Sequence, residues 1–168
     1  MSAAPVYAFV PMTRDDLPMV QGWLARPHVA EWWGEGEGDI AEIGEALEDP
    51  DTWTFIVRMD GRPIGYAQAY DPHAWPGHHF ADHPPGTRGI DQFIAEADLL
   101  GQGHGSAFVR QFCDRLIAEG APVVVTDPHP ENPRAIRAYE KAGFVLYGGP
   151  VDTDWGVSLL MARKAEDR

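Results

Sequence analysis

Apolar and polar positions along this chain switch repeatedly between the period of a strand and that of a helix. Tyr7 to Val10 alternates toward a short strand, ended by Pro11. Thr13 then stands as N-cap of a helix with Asp15 and Asp16 in its first turn, Leu17, Val20 and Leu24 recur at helical spacing, and Pro27 stops it. After His28 to Gly34 comes an acidic, glycine-rich connector, Glu35 to Asp39, and Ile40 to Leu47 supports a second short helix with Asp49-Pro50-Asp51 as its exit.

The middle and end of the chain read more regularly. Trp53 to Met59 is strand-like, and Asp60-Gly61 is a two-residue hairpin signal leading into Ile64 to Tyr70. A long loop rich in proline, histidine and aromatics covers Asp71 to Thr87. Arg88 to Ala95 reads as a buried strand, and Gly103 to Glu119 as an amphipathic helix with Phe108, Phe112, Leu116 and Ile117 inward. Val123 to Thr126 has the continuous apolar character of a strand covered on both faces. Asn132 and Pro133 open another helix that stops at Gly143, and Phe144 to Leu146 and Val157 to Met161 close with two strands. With no repeat and no linker, the pattern predicts one mixed α/β domain over residues 1–168, its core at 7–164.

Composition narrows the classes. The 168 residues are 44% hydrophobic and 23% charged, which fits a soluble globular protein with a sizeable core. No run approaches the roughly 20 apolar residues of a membrane-spanning helix, and the first residues lack the pattern of a secretory signal. The single cysteine, Cys113, rules out an intrachain disulfide framework, fits a cytoplasmic protein, and reads as a buried spectator. A net charge of −13 disfavours nucleic acid and anionic membranes; it would attract a cationic partner, with plain solubility as the other reading of the same charge.

Two stretches carry the candidate chemistry. Leu100-Gly101-Gln102-Gly103-His104-Gly105 is a glycine-alternating turn opening a helix, which lets backbone N–H groups approach an anion at the positive end of the helix dipole. It lacks the Lys-Ser/Thr ending of a nucleoside-triphosphate loop, and it comes too late in the chain for a dinucleotide fold. The helix that follows Asn132 offers one phenol, Tyr139, which also suits a packing role, as Asn132 suits a helix cap.

Together these stretches resemble the GCN5-related N-acetyltransferases (GNAT), in which such a turn binds the pyrophosphate of acetyl-CoA and a tyrosine on the next helix lies near the thioester sulfur. Gly103 and Gly105 match the usual turn, whereas Leu100 stands where Arg or Gln is usual, so the cradle here rests on backbone. His28 to Gly34, Pro63 to Gln68, Arg88 to Gln92, Thr126 to Pro128 and Arg137 to Phe144 look like the aminoglycoside 6'-N-acetyltransferases, with the likeness running from about Phe9 to Met161.

The resemblance implies a single GNAT-like domain, a mixed central sheet flanked by helices on both faces, and an acetyl-CoA cofactor. It implies cofactor contacts at Phe93, Ile94, Ala95, Gly101, Gln102, Gly103, His104, Gly105, Ser106, Asn132, Ala135 and Tyr139, with a backbone N–H of Phe93 to Ala95 polarising the carbonyl. Asp91, a carboxylate in an apolar strand, is the candidate base, with a structural pairing to Arg88 or a backbone N–H as its alternative, and Tyr139 is the candidate acid. Trp32, Trp33, Tyr66, Asp91, Asp127 and Asp154 form the expected acceptor site, although the tryptophans equally suit a core.

In the resembling enzymes the loop before Gly89-Ile90-Asp91-Gln92 is acidic and Trp-bearing. Here it carries His73, His78, His79 and His83, whose spacing matches no zinc pattern, and it reads as a flexible lid without a metal. The expected reaction is acetyl transfer to a primary amine, first of all the 6'-amine of an aminoglycoside, by a monomer or homodimer. The rivals are a siderophore-pathway acyltransferase acting on a lysine-type amine or hydroxylamine, and a non-catalytic acyl-CoA- or drug-binding module.

Overall fold

The computed structural model describes residues 6–33, 37–153 and 156–166. Strands β1 (Tyr7–Pro11), β2 (Thr52–Met59), β3 (Arg62–Tyr70), β4 (Arg88–Ile94), β5 (Val123–Thr126), β6 (Val145–Thr153) and β7 (Gly156–Lys164) take the order β1-β2-β3-β4-β5-β7-β6. Pairing is parallel between β4 and β5, and antiparallel for β1–β2, β5–β7 and β6–β7, so the sheet is mixed. The α-helices among the described residues are α1 (Leu17–Leu24), α2 (Pro27–Trp33), α3 (Glu37–Glu48), α4 (His104–Ala118) and α5 (Pro133–Lys141). The expected α/β class therefore stands.

The chain forms two compact units interleaved in sequence: one from residues up to Ala69 plus Gln92–Gly105, the other from Tyr70–Asp91 plus Ser106 onward. In the first unit, Val20, Trp23, Leu24, Val29 and Ile43 from the helices pack with Ile56, Tyr66 and Phe93 from the strands. Trp23 meets Phe93 edge-on, a contact type that adds about 1 kcal/mol beyond burial. In the second unit, Phe80 is fully buried with Val123 and Val125, and α4 buries Phe108, Val109, Phe112, Cys113 and Leu116. Ile117, expected inward, is half-buried, one step off that stripe.

Four sequence expectations change. Thr13 caps a short 3-10 turn, Arg14–Asp16, with its backbone N–H on Asp16 Oδ2 at 2.9 Å, and α1 follows from Leu17. Pro27 ends α1 but also opens α2, because a proline without an N–H costs nothing at a first helical position. The expected connector Glu35 to Asp39 is helical from Glu37, where acidic residues favour a helix start; positions 34–36 lie outside the described residues. The last hairpin is also longer than its apolar pattern, since the register shifts between Tyr147 and Val151 across Gly148, whose φ is +69°.

Candidate active site

Strand β4 is the backbone of the site. Its ladder with β5 pairs Arg88 with Val124 and Gly89 with Val125, and β4 then runs on to Ile94 while β5 ends at Thr126. At the far end the Ala95 N–H donates to the Ile64 carbonyl at 2.8 Å. Strand alternation therefore turns the Ile94 N–H away from β3. Of the three residues expected to polarise a carbonyl, Ala95 is committed to β3, and Ile94 is the one whose amide faces outward. His28 Nε2 donates to the Ile94 carbonyl at 3.0 Å and Arg26 Nη1 to that of Ala95 at 2.7 Å, fixing the strand end from α2 and its approach. Gly65 makes room for this arrangement: a Cβ there would lie 2.3 Å from the Phe93 oxygen.

The glycine turn follows directly. A 3-10 turn, Ala97–Leu99, leads through half-buried Leu100 to Gly101 and Gly103, whose φ values of +75° and +83° are the left-handed kind that glycine adopts without strain. A Cβ at either would meet nothing within 4 Å, so glycine is required by conformation and the flank of the turn is open. The 15-residue helix α4 begins at His104, and its first N–H groups lack intrahelical acceptors. That is the chemistry a pyrophosphate needs, and the residues fit the cofactor expected.

The turn is held from behind by charge. Arg62 bridges Asp98 at 2.9 Å and Glu96 at 3.3 Å, and Arg26 reaches Glu96 at 3.2 Å. The Arg62 guanidinium holds Asp98 below the usual carboxylate range. Gln102, an expected cofactor contact, turns its side-chain amide back to the Asp98 carbonyl. His104 Nδ1 lies 2.7 Å from the Tyr7 hydroxyl. Ser106 and Gly105 occupy the first turns of α4.

In the second unit, Asp91, Asp127 and Tyr139 come together with two residues the sequence reading did not single out, Tyr70 and Thr126. Tyr139 is buried and its phenol is pushed far above its ordinary value, chiefly by burial, while a hydrogen bond with Thr126 acts the other way and Asp91 and Asp127 add to the rise. Thr126 Oγ1 donates to the Ile90 carbonyl at 3.3 Å. Burial likewise raises Tyr70, with Asp127 and Asp91 next in effect. Its ring lies over Gly89, where a Cβ would stand 2.2 Å from Tyr70 Cζ. A polar residue ending the apolar run Val123-Val124-Val125 was the available signal for Thr126; Tyr70 had none. Arg88 donates to the Thr87 carbonyl and lies 4.0 Å from Asp71. Asn132 Oδ1 accepts from the Ala135 N–H at 3.2 Å, so both expected cofactor residues on this helix start form its cap.

The expected acceptor aromatics lie in the first unit. Trp32 is exposed, Trp33 is half-buried, and Tyr66 is fully buried, stacked on Phe93 and met edge-on by Trp33, with its hydroxyl on Gln68 Oε1 at 2.6 Å. Tyr66 thus backs Trp33 rather than presenting an open face. Asp154 lies outside the described residues.

The expected flexible lid is a chain of hydrogen-bonded turns anchored by buried Phe80. His73 Nε2 lies within hydrogen-bonding range of the Ala81 and His83 carbonyls, His78 Nδ1 accepts from the Phe80 N–H, and His83 Nε2 meets the Tyr147 hydroxyl. His79 Nε2 sits 2.8 Å from Asp127 Oδ2. Among the described residues no three His, Cys, Asp or Glu side chains gather to hold a metal.

Comparison with known proteins bears on the family and the fold. The family described as acetyltransferase (GNAT) domain matches residues 12–151. An aminoglycoside N(6')-acetyltransferase type 1 of Klebsiella pneumoniae is 38% identical, the match covering 94% of this chain and 83% of that protein. The solved structure of AAC(6')-Ib in complex with paromomycin and acetyl-CoA superposes with a TM-score of 0.85 at 37% identity, covering 94% of this chain and 93% of that one. A complex of the same enzyme with coenzyme A and kanamycin gives the same TM-score and identity, covering 95% of each chain. The family match over most of the chain, together with the Klebsiella pneumoniae relative, shows that the chain belongs to the GNAT acetyltransferase family.

Proposed function

We propose that this protein is an acetyl-CoA-dependent N-acetyltransferase that acetylates a primary amine of an aminoglycoside, the 6'-amine. The observation that carries this reading is the near full-length match, at 37% identity, to an enzyme solved with acetyl-CoA and an aminoglycoside. The cationic acceptor also suits a chain of net charge −13.

The turn from Gly101 to Gly105, with Ser106, takes the pyrophosphate through backbone N–H groups, and the Ile94 amide serves the acyl carbonyl. Acetyl-CoA supplies an activated acetyl group and a thiolate leaving group. Asp91 accepts the proton that the acceptor ammonium must lose before its nitrogen can attack. Tyr139, kept protonated by burial, gives its proton to the departing sulfur. Trp32 and Trp33 offer faces for sugar rings, and Asp127 holds a further ammonium. No helix among the described residues is long and apolar enough to cross a membrane.

The test is thiol release from acetyl-CoA with kanamycin, compared with a lysine-type amine. Turnover with kanamycin, lowered about a hundredfold in kcat by Asp91→Asn without loss of acetyl-CoA affinity, supports both the substrate and the base. An unchanged rate in Asp91→Asn removes Asp91 as base, and absence of turnover with any aminoglycoside removes the substrate.

A further inference from the structure

Asp127 is not an empty anion waiting for a substrate. Its Oδ2 accepts from His79 Nε2 at 2.8 Å, and the two side chains are only 16% and 15% exposed. A carboxylate has no proton to give at this separation, so the imidazole is the donor and its Nε2 carries the hydrogen. The His79 ring is fixed on both flanks, stacked on His78 with centroids 4.1 Å apart and tilted against buried Phe80 at 4.5 Å. Asp127 also acts electrostatically on Tyr70, Tyr139 and Tyr147, whose phenols burial keeps protonated. Around this carboxylate, therefore, burial keeps the phenols neutral, and His79 already holds one of its two oxygens.

We infer that His79 is a specificity-determining residue, an internal competitor that an acceptor ammonium must share Asp127 with or displace. This rests on the reading of Asp127 as an acceptor-binding residue. A hydrogen bond to an ionised carboxylate in a nearly buried site is strong enough to matter, and an arriving ammonium must share that oxygen with the imidazole N–H or displace it. An acceptor reaching Asp127 with a second ammonium meets this competition; one with a single ammonium, bound at the reacting amine alone, does not. The histidine in this loop thus tunes the enzyme away from the most heavily charged acceptors.

The experiment is calorimetric titration of the full-length, CoA-loaded protein with kanamycin and with 6-amino-6-deoxyglucose, a sugar whose single amine is the reacting one. His79→Ala is expected to bind kanamycin about tenfold more tightly than wild type, with the single-amine sugar unchanged, and to lose that gain when Asp127→Asn is added. Equal or weaker kanamycin binding in His79→Ala, an equal gain for the single-amine sugar, or a gain that survives Asp127→Asn overturns the inference. Should the alanine variant fail to fold, His79→Asn serves the same comparison, because its shorter side chain stops short of Asp127. Because the readout is binding, it stands apart from the substrate assignment, which fails on its own if wild type releases no thiol with aminoglycosides.

Discussion

The Tyr139 phenol is hydrogen-bonded to Thr126, and the Thr126 hydroxyl also lies 3.3 Å from the Ile90 carbonyl, one residue before Asp91. That second bond is long for an O–H donor, so the threonine proton can turn from Ile90 to the phenol oxygen. Turned that way it stabilises the phenolate left when Tyr139 gives up its proton. Thr126→Val keeps the shape of this buried site and deletes the donor. The expected outcome is a kcat about tenfold lower, an alkaline limb of the pH–rate profile moved upward, and an unchanged KM for acetyl-CoA. Thr126→Ser should restore both rate and profile. A valine variant with the wild-type profile would make Thr126 a packing residue only.

Alkaline stability follows from the same burial. Tyr70 and Tyr139 are raised in the folded state above the ordinary phenol value of 10.0. Between the unfolded and folded values the unfolded chain has released phenol protons that the native chain retains, so rising pH favours unfolding. Their contribution is complete below pH 10 and is lost as pH climbs beyond it. Urea midpoints should therefore hold steady up to about pH 10 and fall above it. The decline should flatten in Tyr70→Phe and in Tyr139→Phe; a midpoint that rises above pH 10 contradicts the assignment.

How far the sequence spoke for itself can be judged residue by residue. Strands β2 to β5 and helices α4 and α5 were legible because alternation, capping and glycine stops are local signals, and Asn132 and Gly101-x-Gly103 stand where those signals put them. Pro27 signals a stop in the local pattern, although one proline serves equally as the start of α2. The extension of β6 was hidden because a glycine-bearing register shift breaks the two-residue period. The partners inside the site were the least legible. His79 and Asp127 are 48 positions apart, and no local pattern announces that a loop histidine will sit on a strand-end carboxylate. Tyr66 illustrates the reverse: its neighbours matched an acceptor site, yet the packing of Phe93 and Trp33 against it makes it core.

Gly65 carries a steric prediction. With a Cβ 2.3 Å from the Phe93 oxygen, Gly65→Ala cannot be accommodated unless β3 or β4 shifts. Overpacking of this kind costs about 2 kcal/mol or more, and the shift moves the strand end that carries the Ile94 amide. The variant should unfold at lower urea and show a higher KM for acetyl-CoA. Gly22→Ala, exposed on α1 where a Cβ would meet nothing within 4 Å, is the control: it should keep the wild-type KM and unfold at equal or higher urea, because alanine favours a helix interior. Wild-type stability in Gly65→Ala would mean that β4 yields freely, and the argument for a fixed amide would go with it.

Cys113 gives the simplest chemical readout of the second unit's core. It is the single cysteine of the chain, fully buried on α4, and burial pushes its thiol up to about 12 despite the opposing charge of Arg163, which is itself paired with Asp114. Only the thiolate attacks a disulfide reagent, and a thiol this buried is neither ionised near neutrality nor reachable. Native protein at pH 8 should therefore take up no Ellman's reagent over the time of an activity assay, and one equivalent should react once urea unfolds it. Binding of CoA should leave this protection unchanged, since the thiol is already fully buried without it. Stoichiometric labelling of the native chain would show that α4 opens locally, and the buried packing of Phe108, Phe112 and Leu116 would have to be looser than described.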